Sequence, residues 1–291
     1  MKALLIPNLL KKYAENCTKQ IINILLENEI ECLIDESIAD LFDGYNITYG
    51  KLDKLISDCT YVIAIGGDGT IIHTSKLASN HNKKLVGVNV GRLGFLAALE
   101  PDQLHLLSKL STGDFDLEKR LMIEVTVKKK SGECISVNAL NEIVVSRGAI
   151  SKMIELEMRC NDTFVDRYRA DGIICCTPTG STAYSLSAGG PIVSPLIDSI
   201  IFTPICPHSL FSRPIIYPSD SKLQIKLIED GHIGDGCEYA FLTVDGAENI
   251  SLDFEDTVIV TQSTKKVQLV SFTNKQFYEV LNKKMMNRFR G

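Results

Sequence analysis

One carboxylate in this chain lies among glycines directly after an apolar run. Asp68 follows Gly66 and Gly67 and precedes Gly69, and the run before them extends from Tyr61 to Ile65. Glycines allow the backbone to turn sharply and to approach a ligand closely, because they carry no Cβ. The pattern therefore favours a phosphate-binding turn that contains one carboxylate. The alternative is an ordinary Asp-Gly turn with a capping residue, which leaves three glycines in four positions unexplained.

The elements around Asp68 place it at a favourable position for phosphate. The run 61–65 is typical of a buried parallel strand, and the residues from Thr70 to Leu77 have helical spacing. Ligands of open α/β sheets bind where strands end, and a helix N-terminus favours phosphate there. A second turn rich in glycine, 89–96, follows the predicted strand 84–89, and we expect the two turns to lie side by side.

The stretch from Asp171 to Pro191 is dense in hydroxyl, small and glycine residues. Such a loop offers backbone N–H groups and hydroxyl donors to a polar ligand. A solvated surface loop with Ser and Thr caps is the alternative, and composition alone leaves the two interpretations nearly equal.

A polar pair, Asn141-Glu142, interrupts the strand-like run 137–145. Burying such a pair without partners costs free energy. A ligand hydroxyl or ring nitrogen would satisfy both side chains, since an amide donates and accepts while a carboxylate accepts. Taken alone, the pair is better explained by one side chain facing water.

Other motifs carry less information. His208 ends the proline-flanked segment 203–208 and His73 follows the glycine turn, but neither is predicted to act as an acid or base. Asp245-Gly246 is a turn signal. The chain contains no Gly-x4-Gly-Lys-Ser/Thr motif, and its glycine turn lacks the Gly-x-Gly-x-x-Gly spacing of dinucleotide-binding dehydrogenases.

Strand and helix patterns alternate in the first third of the chain and then give way to successive strands. The alternation predicts an α/β, Rossmann-like N-terminal domain over 1–98, in which 35–50 shows little pattern. A mainly β domain, a β-sandwich, is predicted over 99–274. Its strands are expected at 121–129, 134–145, 154–160, 200–203, 222–228, 239–244 and 257–272. A C-terminal helix, about 275–291, is expected to pack back on the first domain.

Bulk properties exclude several classes of protein. The formal net charge of -5 argues against nucleic acid or anionic membranes as the main partner. No apolar run approaches the ~20 residues that a membrane span needs. The nine cysteines are scattered, without zinc-site spacing, which is typical of reduced thiols in the cytoplasm.

Several motifs together resemble one family. They are 66–70, 91–96, 141–142, 177–184 with 187–191, and 204–208, and they follow one another over nearly the whole chain. In these segments the chain resembles the NAD kinases, which use ATP or polyphosphate to phosphorylate the adenosine 2′-hydroxyl of NAD. The glycine motif is shared with 6-phosphofructokinases and diacylglycerol kinases, whereas 177–191 is more specific.

The resemblance implies roles for individual residues. Asp68 would be the general base, with Gly66, Gly67 and Gly69 at phosphates. His73 is expected near the same phosphates because of its position on the following helix, and not because of the resemblance. NAD would be bound by Gly69, Asn141, Glu142, Arg169, Asp171, Thr179, Thr182, Ala183, Tyr184 and Ser187. Mg²⁺ or another divalent metal would be held through nucleotide phosphates with no metal ligand from the protein. A homodimer or homotetramer is also implied.

Two alternatives to an NAD kinase differ in the ligand or in the reaction. A lipid or sugar-phosphate kinase would keep the glycine motif and change the acceptor. A non-enzymatic NAD(H) sensor would keep the binding residues and lack turnover. A donor and acceptor assay separates all three.

Overall fold

The computed structural model describes residues 1–91, 93–148, 152–228, 240–272 and 277–288. The chain forms two compact units, Met1–Lys119 with Val267–Gly291, and Arg120–Lys266. The first unit extends beyond the boundary expected at residue 98. The reason is that Leu104 and Leu107, which follow that position, are buried in the core of the first unit.

The first unit begins with alternating strands and helices. Its elements are β1 (Lys2–Pro7), α1 (Ala14–Glu27), β2 (Glu31–Asp35), β3 (Thr48–Gly50), α2 (Leu52–Asp58), β4 (Tyr61–Gly66), α3 (Asp68–Asn80), β5 (Lys84–Asn89) and α4 (Lys109–Thr112), with 3₁₀ helices at Glu36–Phe42 and Pro101–Ser108. The strands pair in the order β3-β2-β1-β4-β5, and all these pairs are parallel. The prediction of a Rossmann-like α/β domain is confirmed.

The position of β4 explains its sequence. The strand lies between β1 and β5, and each of its residues is buried, so an unbroken apolar run is required. The strand order reverses between β1 and β4. In open α/β sheets, the carboxyl ends of the strands on either side of such a reversal form the ligand crevice.

The segment 35–50 is more ordered than its weak pattern predicted. The Asp35 carboxylate accepts a hydrogen bond from the N–H of Ser37 and so caps the 3₁₀ helix that follows. Phe42 at the end of that helix is fully buried. One buried aromatic residue anchors the segment without producing a period that a sequence pattern could reveal.

The second unit is almost entirely β. Its elements are β6 (Asp116–Lys128), β7 (Cys134–Ala139), β8 (Glu142–Arg147), β9 (Ile154–Cys160), β10 (Thr163–Ala170), β11 (Gly172–Cys176), α5 (Tyr184–Ser187), β12 (Ser199–Ile205), β13 (Ile215–Pro218), β14 (Leu223–Ile228), β15 (Ala240–Val244), β16 (Glu248–Leu252) and β17 (Thr257–Ser271). Strands β6 and β17 also contribute their outer ends to the residues of the first unit.

Two antiparallel sheets share the core of this unit. One sheet has the order β13-β12-β11-β8-β15-β16, and the other contains β10-β9-β14-β17 with β6 and β7 beyond β17. Their inner faces contribute to one hydrophobic cluster, to which Ile143 and Leu242 belong from the first sheet and Leu156 from the second. The mainly β sandwich that the sequence predicted is confirmed.

Two predicted elements of this unit are wrong in detail. The run 134–145 is divided into β7 and β8, with a break at Leu140 and Asn141. The stretch from Asp171 to Pro191, predicted as irregular, begins with the buried strand β11 and continues into a 3₁₀ turn and α5. Strands β10, β13 and β16 were also missed. Most of their residues are exposed or half-buried, so their sequences contain no apolar run long enough to predict a strand.

The closing helix, α6 (Phe277–Arg288), belongs to the residues of the first unit. Its Phe277 ring centroid lies 6.1 Å from that of Phe95, so the helix packs on the second glycine turn. The remainder of the predicted helix, 275–276 and 289–291, lies outside the described residues, as do Arg92, Cys237 and Tyr239.

All cysteines within the described ranges are free. Most are buried, although Cys134 and Cys206 are exposed. Burial raises the pKa of the Cys17 thiol to about 11 and that of Cys32 to about 12. Among the described helices, none is long and apolar enough to cross a membrane.

Candidate active site

Asp68 is the first residue of α3, directly after the strand end and Gly67. Its carboxylate accepts two backbone hydrogen bonds, from Phe95 N–H at 2.9 Å and from Leu96 N–H at 3.2 Å. Both donors belong to the second glycine turn. The two turns therefore lie side by side as predicted, and the second turn fixes the orientation of the carboxylate.

Close approach to Asp68 explains the glycine at position 94. A Cβ atom there would stand 2.1 Å from Asp68 Oδ1, far inside contact distance. Gly66 on the other turn lies equally close to Thr70, since a Cβ atom at Gly66 would stand 2.2 Å from Thr70 Oγ1. Glycine is thus required at both positions for packing, and neither needs an unusual backbone angle.

The ends of β1 and β4 are joined by hydrogen bonds. Asn8 N–H donates to the carbonyl of Ile65 at 2.8 Å, and Asn8 Nδ2 donates to Thr70 Oγ1 at 3.0 Å. A cavity of about 1120 Å³ opens at this point, lined by Asn8 and Lys11 after β1 and by residues 67–70 after β4. It occupies the place where the strand order reverses, the usual ligand site of such sheets.

This cavity suits an anion. Residues 67–70, at the N-terminus of α3, line it, and a helix N-terminus favours phosphate. Lys11 adds a cationic side chain to the lining. His73, expected at phosphates, is exposed on α3 and does not line this cavity.

In the second unit, Asn141 and Glu142 are buried, each with 8% of its surface exposed. The interpretation that one of them faces water is therefore wrong. Asn141 Oδ1 and Glu142 Oε2 have no hydrogen-bond partner among the described residues. Buried polar atoms are nearly always satisfied in folded proteins, so two neighbouring exceptions indicate a ligand with polar groups.

The break between β7 and β8 is held by Asp245. Its carboxylate accepts hydrogen bonds from the N–H groups of Leu140 at 2.9 Å, Asn141 at 2.8 Å and Glu142 at 3.1 Å. Asp245 N–H in turn donates to the carbonyl of Glu142 at 2.9 Å. The sequence offered only a weak Asp-Gly turn signal at Asp245, but its carboxylate holds the polar pair in place.

Thr177 holds the same break by donating hydrogen bonds to the carbonyl groups of Leu140 and Asn141. Its N–H donates to Asn141 O at 2.8 Å, and its hydroxyl donates to Leu140 O at 2.6 Å. Gly180 packs so closely that a Cβ there would stand 2.2 Å from the Asn141 carbonyl oxygen. The Ser- and Thr-rich segment is therefore packed directly against the polar pair.

Burial changes the chemistry of Glu142. Desolvation, followed by the negative charge of Asp245, raises the pKa of Glu142 to about 7, against the opposing effect of the Tyr184 backbone N–H. The raised pKa indicates that burying this carboxyl group beside Asp245 costs free energy. Perturbed groups of this kind are common at functional sites.

The other predicted binding residues lie in different environments. Thr179 is buried, Thr182 and Ala183 are half-buried, and Tyr184 and Ser187 are exposed. Asp171 forms an ion pair with Arg147, with Arg147 Nε 2.8 Å from Asp171 Oδ1. Arg169 is exposed on β10, and its carbonyl accepts a hydrogen bond from the N–H of His208 at 2.8 Å. Hydroxyls of Ser181 and Ser185 bond inward, to Pro178 O and Thr203 Oγ1, and so support the structure.

The sequence interpretation missed two groups at these sites. Asp245 was treated as a turn residue, although the three N–H groups it binds belong to the polar pair and its neighbour. Lys284 on α6 was not singled out, yet its Nζ lies 3.8 Å from Asp68 Oδ2. A lysine on a predicted helix more than 200 residues away in sequence carries no local signal.

A glycine turn that presents a carboxylate at the strand reversal is typical of a phosphotransferase, and a buried polar pair without partners is typical of a ligand site. The models of the ATP-NAD kinase N-terminal and C-terminal domains match residues 4–115 and 140–272. The chain belongs to the NAD kinase family.

Individual relatives agree with this assignment. The chain is 38% identical to an NAD kinase of Caldanaerobacter subterraneus subsp. tengcongensis over 284 residues, which cover 97% of this chain and 98% of the relative. A crystal structure of yeast NADH kinase complexed with NADH has a TM-score of 0.91 at 26% identity, covering 98% of this chain and 87% of that one. An Archaeoglobus fulgidus NAD kinase in complex with ATP has a TM-score of 0.75 at 25% identity and covers 98% of both chains.

Replacing Gly94 by alanine is expected to displace the Asp68 carboxylate. The added methyl group would occupy the position of Asp68 Oδ1, and the carboxylate would lose its bonds to the amides of Phe95 and Leu96. We expect kcat to fall on the order of 100-fold, because misplacing a reacting group by about 1 Å has an effect of this size. Steady-state kinetics on protein with a cooperative unfolding transition checks this. A kcat within twofold of wild type would show that this orientation is not needed.

Asp245→Asn tests the support of the polar pair. The amide nitrogen would face a backbone N–H, leaving a donor unsatisfied, so the free energy of unfolding should fall by about 1–3 kcal/mol. The KM for NAD should rise roughly tenfold, which corresponds to about 1.4 kcal/mol of binding. Asparagine tolerates the left-handed backbone angle of Asp245, φ 48°, so the backbone is not tested. Asp253→Asn, at an exposed site of the same unit, is the matched control. Equal effects of the two variants would contradict the prediction.

The raised pKa of Glu142 predicts a pH-dependent stability. A carboxyl group that binds its proton more tightly when folded stabilises the fold at low pH, and this contribution is lost as pH rises through the folded pKa of about 7. Without ligand, Glu142→Gln should therefore gain stability relative to wild type between pH 5 and pH 8, by up to roughly 3 kcal/mol. Urea unfolding across this range measures the difference, with the exposed Glu133→Gln as control. Parallel curves for wild type and Glu142→Gln would refute it.

Proposed function

We propose that this NAD kinase transfers the γ-phosphoryl group of ATP, or a phosphoryl group of polyphosphate, to the 2′-hydroxyl of the adenosine ribose of NAD, giving NADP. The observation that carries the proposal is the Asp68 carboxylate, which two amides orient beside the glycine turn. Phosphoryl transfer requires positioning and charge stabilisation more than covalent help. The reaction class suits a site built in this way.

Asp68 acts as the general base. It accepts the 2′-hydroxyl proton while the ribose oxygen bonds to the phosphorus and the bond from phosphorus to the leaving nucleotide breaks. A base must lie within hydrogen-bond reach of the proton that it takes. Two amide donors leave other lone pairs of the carboxylate available, because an ionised carboxylate has about four acceptor positions.

The polar pair recognises the adenosine part of NAD. Asn141 binds the base, and Glu142 accepts a hydrogen bond from the ribose. The atoms without partners, Asn141 Oδ1 and Glu142 Oε2, support this role because a nucleoside offers both N–H and O–H donors. Gly69, Arg169, Asp171, Thr179, Thr182, Ala183, Tyr184 and Ser187 complete the proposed NAD contacts, with Arg169 reaching a phosphate across a subunit interface.

The phosphates of the donor lie against Gly66, Gly67 and Gly69. Gly67 and Gly69 line the cavity that Lys11 also lines. His73 contacts phosphate only if its exposed side chain turns towards that cavity. Mg²⁺ or another divalent ion neutralises the donor phosphates when bound. Phosphate oxygens would supply most ligands of the ion, because Mg²⁺ at nucleotide sites is bound largely through substrate phosphates.

We also propose a cytoplasmic homodimer or homotetramer. Free, mostly buried thiols support a reducing compartment. The related yeast NADH kinase complexed with NADH adds NADH as a second acceptor to be tested.

An Asp68→Asn variant tests the base. Purified wild-type protein with NAD, ATP and Mg²⁺ should form NADP, and kcat of the variant should be on the order of 100- to 10,000-fold lower, because it loses its proton acceptor. NAD binding should persist, as measured by calorimetry. Asp58→Asn, an exposed aspartate of the same unit, is the charge-matched control and should retain full activity.

The same assay separates the alternatives. NADH and polyphosphate are added as further substrates, and lipid and sugar-phosphate acceptors are tested in parallel. No NADP or NADPH with any phosphoryl donor, together with intact NAD binding, would overturn the enzymatic proposal in favour of a sensor. Phosphorylation of another acceptor alone would favour a related kinase.

A further inference from the structure

The C-terminal helix brings a cation to the proposed base. Lys284 Nζ on α6 lies 3.8 Å from Asp68 Oδ2 and 3.9 Å from the centroid of the Phe95 ring. Its side chain is half-buried, with 29% of its surface exposed. Phe277, at the start of the same helix, packs its ring against Phe95 from 6.1 Å. The helix therefore docks on the residue whose amide orients Asp68.

Stability alone does not account for this arrangement. Ion pairs with this degree of exposure contribute about 0–1 kcal/mol. The Asp68 carboxylate also has two amide donors already, so the lysine is not needed to satisfy it. The ammonium group itself lies over the Phe95 ring, and this cation–π contact holds it beside the carboxylate.

The chemistry of phosphoryl transfer gives the lysine a role. In the transition state, charge spreads over the equatorial oxygens of the phosphoryl group, and fixed cations stabilise that charge. The base contacts the attacking hydroxyl, and phosphorus bonds to the oxygen of that same hydroxyl. A cation a few ångströms from the base is consequently within reach of the phosphoryl oxygens, and a flexible four-carbon stem lets the ammonium group follow them.

We propose that Lys284 is a catalytic residue that binds the transferring phosphoryl group, delivered to the active site by the C-terminal helix. The proposal rests on the function given above. The lysine stays protonated throughout: the hydroxyl proton goes to Asp68, the new bond joins the ribose oxygen to phosphorus, and the donor leaves with the electron pair of the broken bond.

The test compares three variants of the full chain. Lys284→Met keeps an unbranched apolar side chain at this position and removes the charge. Lys284→Arg keeps the charge. Lys283→Met makes the same change at the neighbouring, exposed position and is the matched control. Each is measured for kcat at saturating NAD and ATP, for KM of both substrates, for NAD affinity by calorimetry and for thermal unfolding.

We expect kcat of Lys284→Met to fall on the order of 100-fold, the effect of removing one group that stabilises transition-state charge. Its NAD affinity and melting temperature should match wild type. Lys284→Arg should restore at least a tenth of wild-type kcat, and Lys283→Met should equal wild type. A packing role would give the opposite order, since methionine would preserve activity better than arginine.

Several outcomes overturn the inference. Wild-type kcat in Lys284→Met would show that the charge is not used. A higher kcat would show that the lysine restrains the base. If Lys284→Met unfolds, Lys284→Gln provides the neutral variant, and wild-type kcat in it has the same meaning. Failure of the wild-type protein to make NADP or NADPH would instead overturn the proposed function, so the two failures are distinguishable.

Discussion

The geometry of the first unit depends on two hydrogen bonds, those from the amides of Phe95 and Leu96 to the carboxylate of Asp68. A carboxylate at the start of a helix could adopt several rotamers, and only a fixed one can serve as a base for a defined hydroxyl. The amides fix it, and they reach it because position 94 has no Cβ. The second glycine turn therefore fixes the orientation of the carboxylate that the first turn carries.

The second unit uses the same device for a different purpose. The carboxylate of Asp245 binds three successive amides and holds a strand break, and the side chains of Asn141 and Glu142 project from the backbone that is held. The cost is visible in the raised pKa of Glu142, to which burial contributes first and Asp245 second. Groups whose pKa values are perturbed in this way are common at functional sites.

The sequence predicted those parts of the molecule that have a local or periodic signal. The buried run of β4, the glycine turn after it and the sandwich character of the second unit were predicted correctly, because apolar runs and turn residues report burial directly. The break between β7 and β8 was not predicted, because the apolar run resumes directly after the polar pair and the carboxylate that holds the break lies about a hundred residues later. Asp245 has no sequence signal beyond an Asp-Gly turn.

Lys284 has an even weaker signal, and for a physical reason. A lysine on the polar face of a helix is ordinarily solvated, and nothing in its neighbours distinguishes it from Lys283. What differs is the direction in which α6 presents the two side chains once Phe277 has docked on Phe95. The aromatic pair therefore decides which lysine reaches the carboxylate. Because the amide of Phe95 also orients Asp68, one residue sets the positions of both charges, the proposed base and the cation proposed to bind the phosphoryl group.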